Sequence, residues 1–333
     1  MEIIKDTTEF KINEQTAVAI GKFDGLHLGH KALISELLKA GKKGLKTAVF
    51  TFDPSPGIYF SMLRGSVTYR ELMTRDEKRE SFETLGIDYL VEYPFRAETA
   101  AVTAQEYVKR YLLDQMNAKL IVAGEDVSFG RGGAGDAELL KKIVRKSGSE
   151  CHRGRALSDL CNEGSDLFPE VLIIPKIEKG GMVISSTLVR KMVEEGNMEE
   201  TSGLLGEDYC IRGKVMHGNH IGRSLGMPTA NLYPPDRKLL PPKGVFFSSV
   251  TIKSDGSTTY RSITNIGCRP TVHGDDPKVN VETHILDFDK DIYGEDIEVR
   301  LLHFHRREKR FGTLEELKEQ MNADVMARDG YDL

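Results

Sequence analysis

The sequence predicts an α/β domain followed by an all-β domain: a Rossmann-like parallel sheet, then a small antiparallel barrel with a C-terminal helix. Three observations predict it. Apolar, strand-like runs alternate with segments of helical period through the first half of the 333-residue chain. The alternation stops near 204–209. From there, short β-rich segments follow one another until Thr313.

The apolar runs of the first half are AVAI (17–20), KTAVFTF (46–52), IDYLVEY (87–93), KLIVAG (119–124) and VLIIP (171–175). Between them, His30 to Lys39 places Leu33, Ile34, Leu37 and Leu38 on one helical face, and 75–85 and 104–116 behave similarly. Strand–helix–strand alternation argues for a parallel sheet with helices on both faces, whose ligands bind at the carboxyl ends of the strands. A helical stretch, Ser186 to Leu205, closes this half. The second half offers 210–217, 244–252, 258–266, 279–288 and 296–304, separated by Gly, Pro, Asn and Asp, which read as an antiparallel sheet or small barrel. Thr313 and Glu316 have capping-box spacing and open a last helix with Leu317 and Met321 on one face. The domains are placed at 1–206 and 207–333.

Composition excludes several classes. The chain is 39% hydrophobic and 29% charged, with net charge -5 and no long basic tract, so neither nucleic acid nor an anionic membrane is an expected partner. No apolar run approaches the ~20 residues of a membrane span. The N-terminus lacks the pattern of a signal peptide, and the four cysteines, Cys151, Cys161, Cys210 and Cys268, form no C-x-x-C pair. Cytosol is the expected compartment, and small molecules are the expected partners. Monomer and homo-oligomer stay open. Cys151, His152 and Cys161 are too scattered to argue for a metal site, and 149–168 reads as a surface loop.

The stretch Gly21-Lys22-Phe23-Asp24-Gly25-Leu26-His27-Leu28-Gly29-His30 follows the first of these runs and opens the first helix. Glycines let backbone approach a phosphate, and a helix N-terminus supplies free N–H groups. Gly21, Phe23, Asp24, Gly25 and Gly29 are therefore read as a nucleotide-binding turn. His27 and His30, three apart, would face one anion as imidazolium groups and stabilise charge during transfer. This motif resembles the H-x-G-H nucleotidyltransferase superfamily. That resemblance implies attack of an alkyl phosphate on a nucleotide α-phosphate, with release of pyrophosphate and no covalent enzyme intermediate. Ile184 to Arg190 resembles the superfamily's second motif, which assigns Ser186 and Thr187 to phosphate oxygens and Arg190 to the leaving pyrophosphate. Thr51-Phe52-Asp53-Pro54-Ser55-Pro56 resembles a flavin adenylyltransferase loop with Ser55 in place of the usual His. Asp53 remains a candidate for flavin, ribose or metal.

Gly130, Gly132 and Gly135 match G-x-G-x-x-G, the dinucleotide-binding pattern. The match lies late in the sheet, and no second strand ends in an acidic residue ~20 positions on, as the fingerprint requires. The loop 124–136 instead resembles the adenylyltransferase segment around FMN and adenine, which makes Asp126 and Phe129 flavin-binding candidates.

No G-x-x-x-x-G-K-[ST] is present, so a P-loop kinase is excluded. Gly213 to Gly218 and Gly222-Arg223-Ser224-Leu225-Gly226-Met227-Pro228-Thr229-Ala230-Asn231 resemble the riboflavin kinase signature. Gly218, Gly222, Arg223 and Gly226 would fold over a polyphosphate. Thr229 and Asn231, two apart on a strand, share a side. Their oxygens suit Mg²⁺ whose charge partners are the ATP phosphates. Glu282 in Val281-Glu282-Thr283-His284 matches the family's catalytic glutamate, and Arg306 is placed over the flavin. Asn265 to Thr271, Tyr293-Gly294, Glu308 and Phe311 fit the same pattern.

Residues 16–327 thus resemble the prokaryotic bifunctional riboflavin kinase/FAD synthetase family. The resemblance implies phosphorylation of riboflavin to FMN by MgATP, then adenylylation of FMN to FAD. The chain departs from the family at Ser55, at Gly206 to Tyr209, at His305 and in 149–168. Three rivals stay open: a kinase with a silent first half, a nucleotidyltransferase for another alkyl phosphate, and a flavin sensor without turnover.

Overall fold

The apolar runs of the first half become strands of one parallel sheet. The computed structural model describes residues 1–65, 69–152, 169–218, 226–256, 258–268 and 279–331, with backbone alone for 148–152 and 268. The chain divides into two compact units, Met1–Ser185 and Ser186–Leu333.

Among the described residues, the first unit carries β1 (Glu2–Lys5), β2 (Thr16–Ile20), β3 (Lys46–Asp53), β4 (Tyr89–Pro94), β5 (Ala118–Gly124) and β6 (Glu170–Ile174) in the order β1-β4-β3-β2-β5-β6. Every pairing is parallel, as strands joined by helical crossovers must be. The fully buried β2 shows why both faces are covered. Ala17 and Ala19 pack with Leu33, Ile34 and Leu37 of α1 (Leu28–Gly41) and with Phe82 of α3 (Arg75–Thr84). Val18 and Ile20 pack with Tyr107, Val108, Leu112, Leu140 and Val144 on the other side. Alternation along the strand thus feeds two cores. Truncating Leu37, which is fully buried, would cost about 2–5 kcal/mol.

Several elements described in this unit were not legible. β1 is short and edge-placed, with Ile3 36% exposed, so it carries no strong alternation. The helix α2 (Pro56–Leu63) begins at a proline and is mostly not buried. A two-residue hairpin, β7 (Glu178–Lys179) with β8 (Met182–Val183), turns on Gly180 and Gly181, both at positive φ.

In the second unit the stretch 186–205 forms two helices, Ser186–Glu195 and Met198–Leu205. They divide at Gly196 (φ 77°), after which the Asn197 side chain caps the second helix by accepting from the Glu200 N–H at 3.1 Å. Strands β9 (Tyr209–Lys214), β10 (Thr229–Leu232), β11 (Gly244–Ile252), β12 (Thr259–Cys268), β13 (Val279–Ile285) and β14 (Asp296–Arg307) form an antiparallel sheet in the order β10-β13-β12-β11-β14-β9. It curls round, because Met216, just past β9, bridges to Asn231 of β10, its N–H donating to the Asn231 carbonyl at 2.9 Å.

The inner face is not purely apolar. The hydroxyls of Ser248, Ser262, Thr264 and Thr283 are fully buried and bond one another, with Ser248–Ser262 at 2.8 Å, Ser248–Thr264 at 2.7 Å and Thr264–Thr283 at 2.9 Å. Mutual pairing removes the penalty of burying each alone. The C-terminal helix Leu314–Asp329 is capped by Thr313 as its spacing predicts, at 3.2 Å to the Glu316 N–H. It docks through charge: Asp324 and Arg328 are its buried residues.

Candidate active sites

In the first unit the chain leaves β2 towards β3 on one side, and the later β5 lies on the other. The carboxyl ends of β2 and β5 therefore bound the switch-point crevice where α/β sheets bind ligands. The H-x-G-H turn sits there. Its path needs left-handed backbone at Phe23 (φ 47°), Gly25 (φ 90°) and Leu26 (φ 36°). A Cβ at Gly25 would lie 2.7 Å from Leu72 Cδ1, so glycine is required for space as well as for φ. Phe23 is fully buried, edge-on to Phe82 at 5.5 Å and 5.2 Å from the His30 ring.

His27 caps α1, its Nδ1 accepting from the His30 N–H at 3.3 Å. An accepting Nδ1 puts the neutral ring's proton on Nε2. The two imidazoles stack with centroids 3.8 Å apart and a 20° tilt. Burial lowers His27 to about 4 against the opposing pull of Asp126. Burial, with smaller contributions from His27 and Lys78, holds His30 well below its ordinary value. Both rings are therefore neutral in the free protein, where the sequence suggested imidazolium groups. The physical reason is desolvation, which penalises the charged form. His30 Nδ1 is buried without a hydrogen-bond partner among the described residues.

Asp126 follows β5, on the other side of the crevice from α1, and its charge acts on His27. Asp24 accepts the N–H groups of Leu72 at 2.8 Å and Met73 at 3.4 Å, so its carboxylate ties the turn to 72–73. Asp53 pairs with Arg75 at 3.0 Å. Arg75 and Arg79 also converge on the buried Glu92, at 2.7 and 2.6 Å. Burial pushes that carboxyl up, but the Arg79 and Arg75 bonds prevail and hold it below the carboxylate range. Ser55 is 7% exposed, and its hydroxyl has no partner among the described residues. Phe129 lies in the core, stacked on Tyr107 at 5.4 Å.

The G-x-G-x-x-G loop is no phosphate cradle. Phe129 and Gly135 exchange backbone bonds at 3.1 and 2.8 Å, the Gly133 N–H goes to Gly130 O, and the Arg131 N–H to Val102 O. The amides of Phe129, Arg131, Gly133, Ala134 and Gly135 are thus already spent on backbone carbonyls. Ser186, Thr187 and Arg190 open the first helix of the second unit, with Thr187 exposed and Arg190 half-buried.

In the second unit, Asn231, Glu282 and Asn265 occupy one cross-strand row: Asn231 faces Glu282 across β10 and β13, and Asn265 faces Glu282 across β12 and β13. Directly opposed residues share a sheet face. Thr229, two before Asn231, joins that face. Asn280, two before Glu282, does so as well, and the sequence reading passed over it although the strand period alone could have found it. Its Nδ2 donates to Glu282 Oε1 at 2.7 Å and Asn231 Oδ1 at 3.0 Å. Thr229, Asn231, Thr283, Phe288 and Tyr293 line a cavity of ≈ 170 Å³. His217 covers Tyr293 with ring centroids 3.9 Å apart. Gly218 packs against Asn231, since a Cβ there would lie 2.5 Å from its Nδ2. Gly226 has φ 79°, while Gly222 and Arg223 lie outside the described residues. Arg306 is committed to Asp324 by two bonds, at 2.8 and 2.7 Å, so in this structure its fork holds the C-terminal helix.

Comparison with known proteins finds the same two parts. A family model described as FAD synthetase matches residues 9–165, and one described as riboflavin kinase matches 205–330. A bifunctional riboflavin kinase/FMN adenylyltransferase of Listeria monocytogenes is 34% identical over 319 residues, which is 96% of this chain and 93% of the relative. The chain belongs to the bifunctional riboflavin kinase/FMN adenylyltransferase family. The Escherichia coli K12 member is 34% identical over 322 residues, covering 96% and 94% of the two chains. The crystal structure of a Streptococcus pneumoniae protein described as a macrolide-efflux protein superposes with TM-score 0.80 and 32% identity over 99% of both chains. None of the helices described for this family member is long and apolar enough to cross a membrane.

Proposed function

We propose that the first part, residues 1–206, carries adenylyl transfer and the second, 207–333, phosphoryl transfer. The chain is a bifunctional enzyme of flavin cofactor synthesis: it phosphorylates riboflavin to FMN with ATP, then adenylylates FMN to FAD and releases pyrophosphate. The observation that carries this reading is that motif residues gather at two separate places, one in each unit. One is the stacked His27–His30 pair at a sheet switch point, and the other is the Asn231–Asn280–Glu282 chain beside a cavity.

In phosphoryl transfer Glu282 accepts the proton of the ribityl 5′-hydroxyl as that oxygen attacks the γ-phosphorus of ATP and ADP leaves. Thr229 and Asn231 would hold Mg²⁺. Their neutral oxygens beside the cavity suit a cation whose charge is balanced by nucleotide phosphates, and the ion would neutralise charge on the transferred group. Gly218, Gly222, Arg223 and Gly226 are assigned to the polyphosphate by the riboflavin kinase signature, and Arg306 to the flavin side. In adenylyl transfer an FMN phosphate oxygen attacks the α-phosphorus of ATP, and pyrophosphate departs with its electron pair. His27, through Nε2–H, and His30 hydrogen-bond the transferring phosphate. Ser186, Thr187 and Arg190 serve the leaving group. Asp53, Asp126 and Phe129 shape the flavin side. The substrates are small molecules in the cytosol, and no nucleic acid is involved.

An HPLC time course with riboflavin, ATP and Mg²⁺ tests this. Transient FMN followed by FAD is expected. FMN that accumulates without FAD would mean a silent first half and turn attention to Ser55. Riboflavin left untouched would remove the kinase.

A further inference from the structure

Asn280 is only 3% exposed, and no role so far requires it. An amide nitrogen has two N–H groups, and here both are spent on residues of the phosphoryl-transfer site, Glu282 Oε1 at 2.7 Å and Asn231 Oδ1 at 3.0 Å. Its orientation follows from chemistry. An ionised carboxylate only accepts, so the reversed amide would set oxygen against oxygen. Asn231 passes the chain on, donating from Nδ2 to the Thr229 carbonyl at 3.2 Å. Gly218 lies close against the Asn231 amide, where any Cβ would clash with it. The amide's own Oδ1 is buried and unpartnered among the described residues. An asparagine kept only to satisfy its neighbourhood would not leave that oxygen unpaired. The donor end is what the site uses.

We infer that Asn280 is a positioning residue for phosphoryl transfer, setting the proton-accepting carboxylate of Glu282 and the cation-facing oxygen of Asn231 as one hydrogen-bonded unit. The inference rests on the roles proposed for Glu282 and Asn231. Asn280 touches no reacting atom; it removes the rotamer freedom of two side chains that do. Fixing both by one fork couples the seat of the alcohol to the seat of the nucleotide, which an in-line attack requires.

The test compares Asn280→Asp with Asn280→Ala in the full chain. It measures FMN formation, the Mg²⁺ concentration giving half-maximal rate, calorimetric binding of ADP with and without Mg²⁺, melting temperature, and FAD formation from supplied FMN. Aspartate keeps the shape but replaces two donors with a carboxylate beside Glu282. The kinase kcat is expected to fall about tenfold or more, the Mg²⁺ requirement to rise, and the Mg²⁺-dependent gain in ADP affinity to shrink. FAD formation should stay intact. Alanine removes the donors without adding charge and is expected to do less harm. A space-filling role predicts the reverse order, with Asn280→Asp at wild-type rate and Asn280→Ala impaired with a lowered melting temperature; that result overturns the inference. Should Asn280→Asp fail to fold, Asn280→Ala decides alone. A raised Mg²⁺ requirement supports the inference and a wild-type one sinks it. Glu282→Gln separates the two levels. If it still makes FMN, the underlying reading of the site has failed. If it is inactive while Asn280→Asp is unaffected, only the inference has.

Discussion

The two sites proposed for phosphate transfer have opposite local environments. In the first unit, two histidine rings are stacked, largely buried and neutral. In the second, a half-buried glutamate is bonded through the Asn280 amide to Asn231, which lines a cavity. The difference follows from the nucleophiles. FMN phosphate is already an anion, so adenylyl transfer needs preorganised hydrogen-bond donors and no base. The ribityl hydroxyl is not ionised, so phosphoryl transfer needs a group that takes its proton, and a carboxylate can act only while it stays charged. Burial suits the first task and would spoil the second.

Two substitutions should break this comparison most sharply. Glu282→Gln is expected to cut FMN formation by about 10²-fold or more, leaving FAD formation from added FMN unchanged. His30→Ala should cut FAD formation by about 10²–10³-fold and spare FMN formation. HPLC assays of the two half-reactions on each variant settle the matter. A well-folded variant that loses both activities would show that the sites are not independent.

The next effect falls on stability. Glu92 is 3% exposed and gathers Arg75 and Arg79. Glu92→Gln leaves two guanidinium groups short of a charge and should destabilise the first unit by about 3 kcal/mol. Circular dichroism melts would show the loss, and kinase activity, proposed for the other unit, should survive. A wild-type melting curve would mean that Arg75 finds enough in Asp53.

These contrasts bear on what a sequence discloses. Strands β2 to β6 were legible because buried parallel strands are continuous apolar runs. The H-x-G-H turn was legible because its glycines and histidines are contiguous. The carriers of the ion networks were not. Arg75, Arg79 and Glu92 look like ordinary charged positions until β4 and α3 are brought together. Ser248, Ser262, Thr264 and Thr283 read as polar strand residues, and only the curled sheet turns them inward to satisfy one another. Asn280 needed the cross-strand register to acquire partners. Arg306 was placed beside the flavin by resemblance alone, and the bond of its fork to Asp324 of the C-terminal helix joins residues 18 apart, which strand periodicity cannot reveal.

A comparable effect comes from pH. His27 titrates near 6.5 in the unfolded chain and at about 4 when folded. Between those values the unfolded state binds the extra proton. The contribution is therefore fully present above pH 6.5 and is lost as pH falls from 6.5 towards 4, on the order of 3 kcal/mol across the window. Replacing His27 by Asn should flatten that part of the stability profile relative to wild type. Denaturant titrations at about pH 7.5, 6 and 5 would reveal it. Parallel profiles for the two proteins would contradict the burial argument.

The last effect, read as a count of at most one proton, sharpens the comparison most. A phosphate charge about 4 Å from an imidazole in a protein-like medium contributes about 4 kcal/mol, about three pKa units. Nucleotide binding should therefore lift His27 from about 4 towards neutrality and work against the burial that lowers His30. Only one ring of the pair can take the proton, because two imidazolium rings at a 3.8 Å stacking distance would repel strongly. Calorimetry of a non-hydrolysable ATP analogue, run in buffers of different ionisation enthalpy, should show uptake of up to one proton at about pH 6 and none at about pH 8. The uptake should disappear in a His27→Asn, His30→Ala double variant. No uptake at pH 6 would make the rings neutral donors throughout the reaction, and the charge needed by the departing pyrophosphate would then have to come from Arg190.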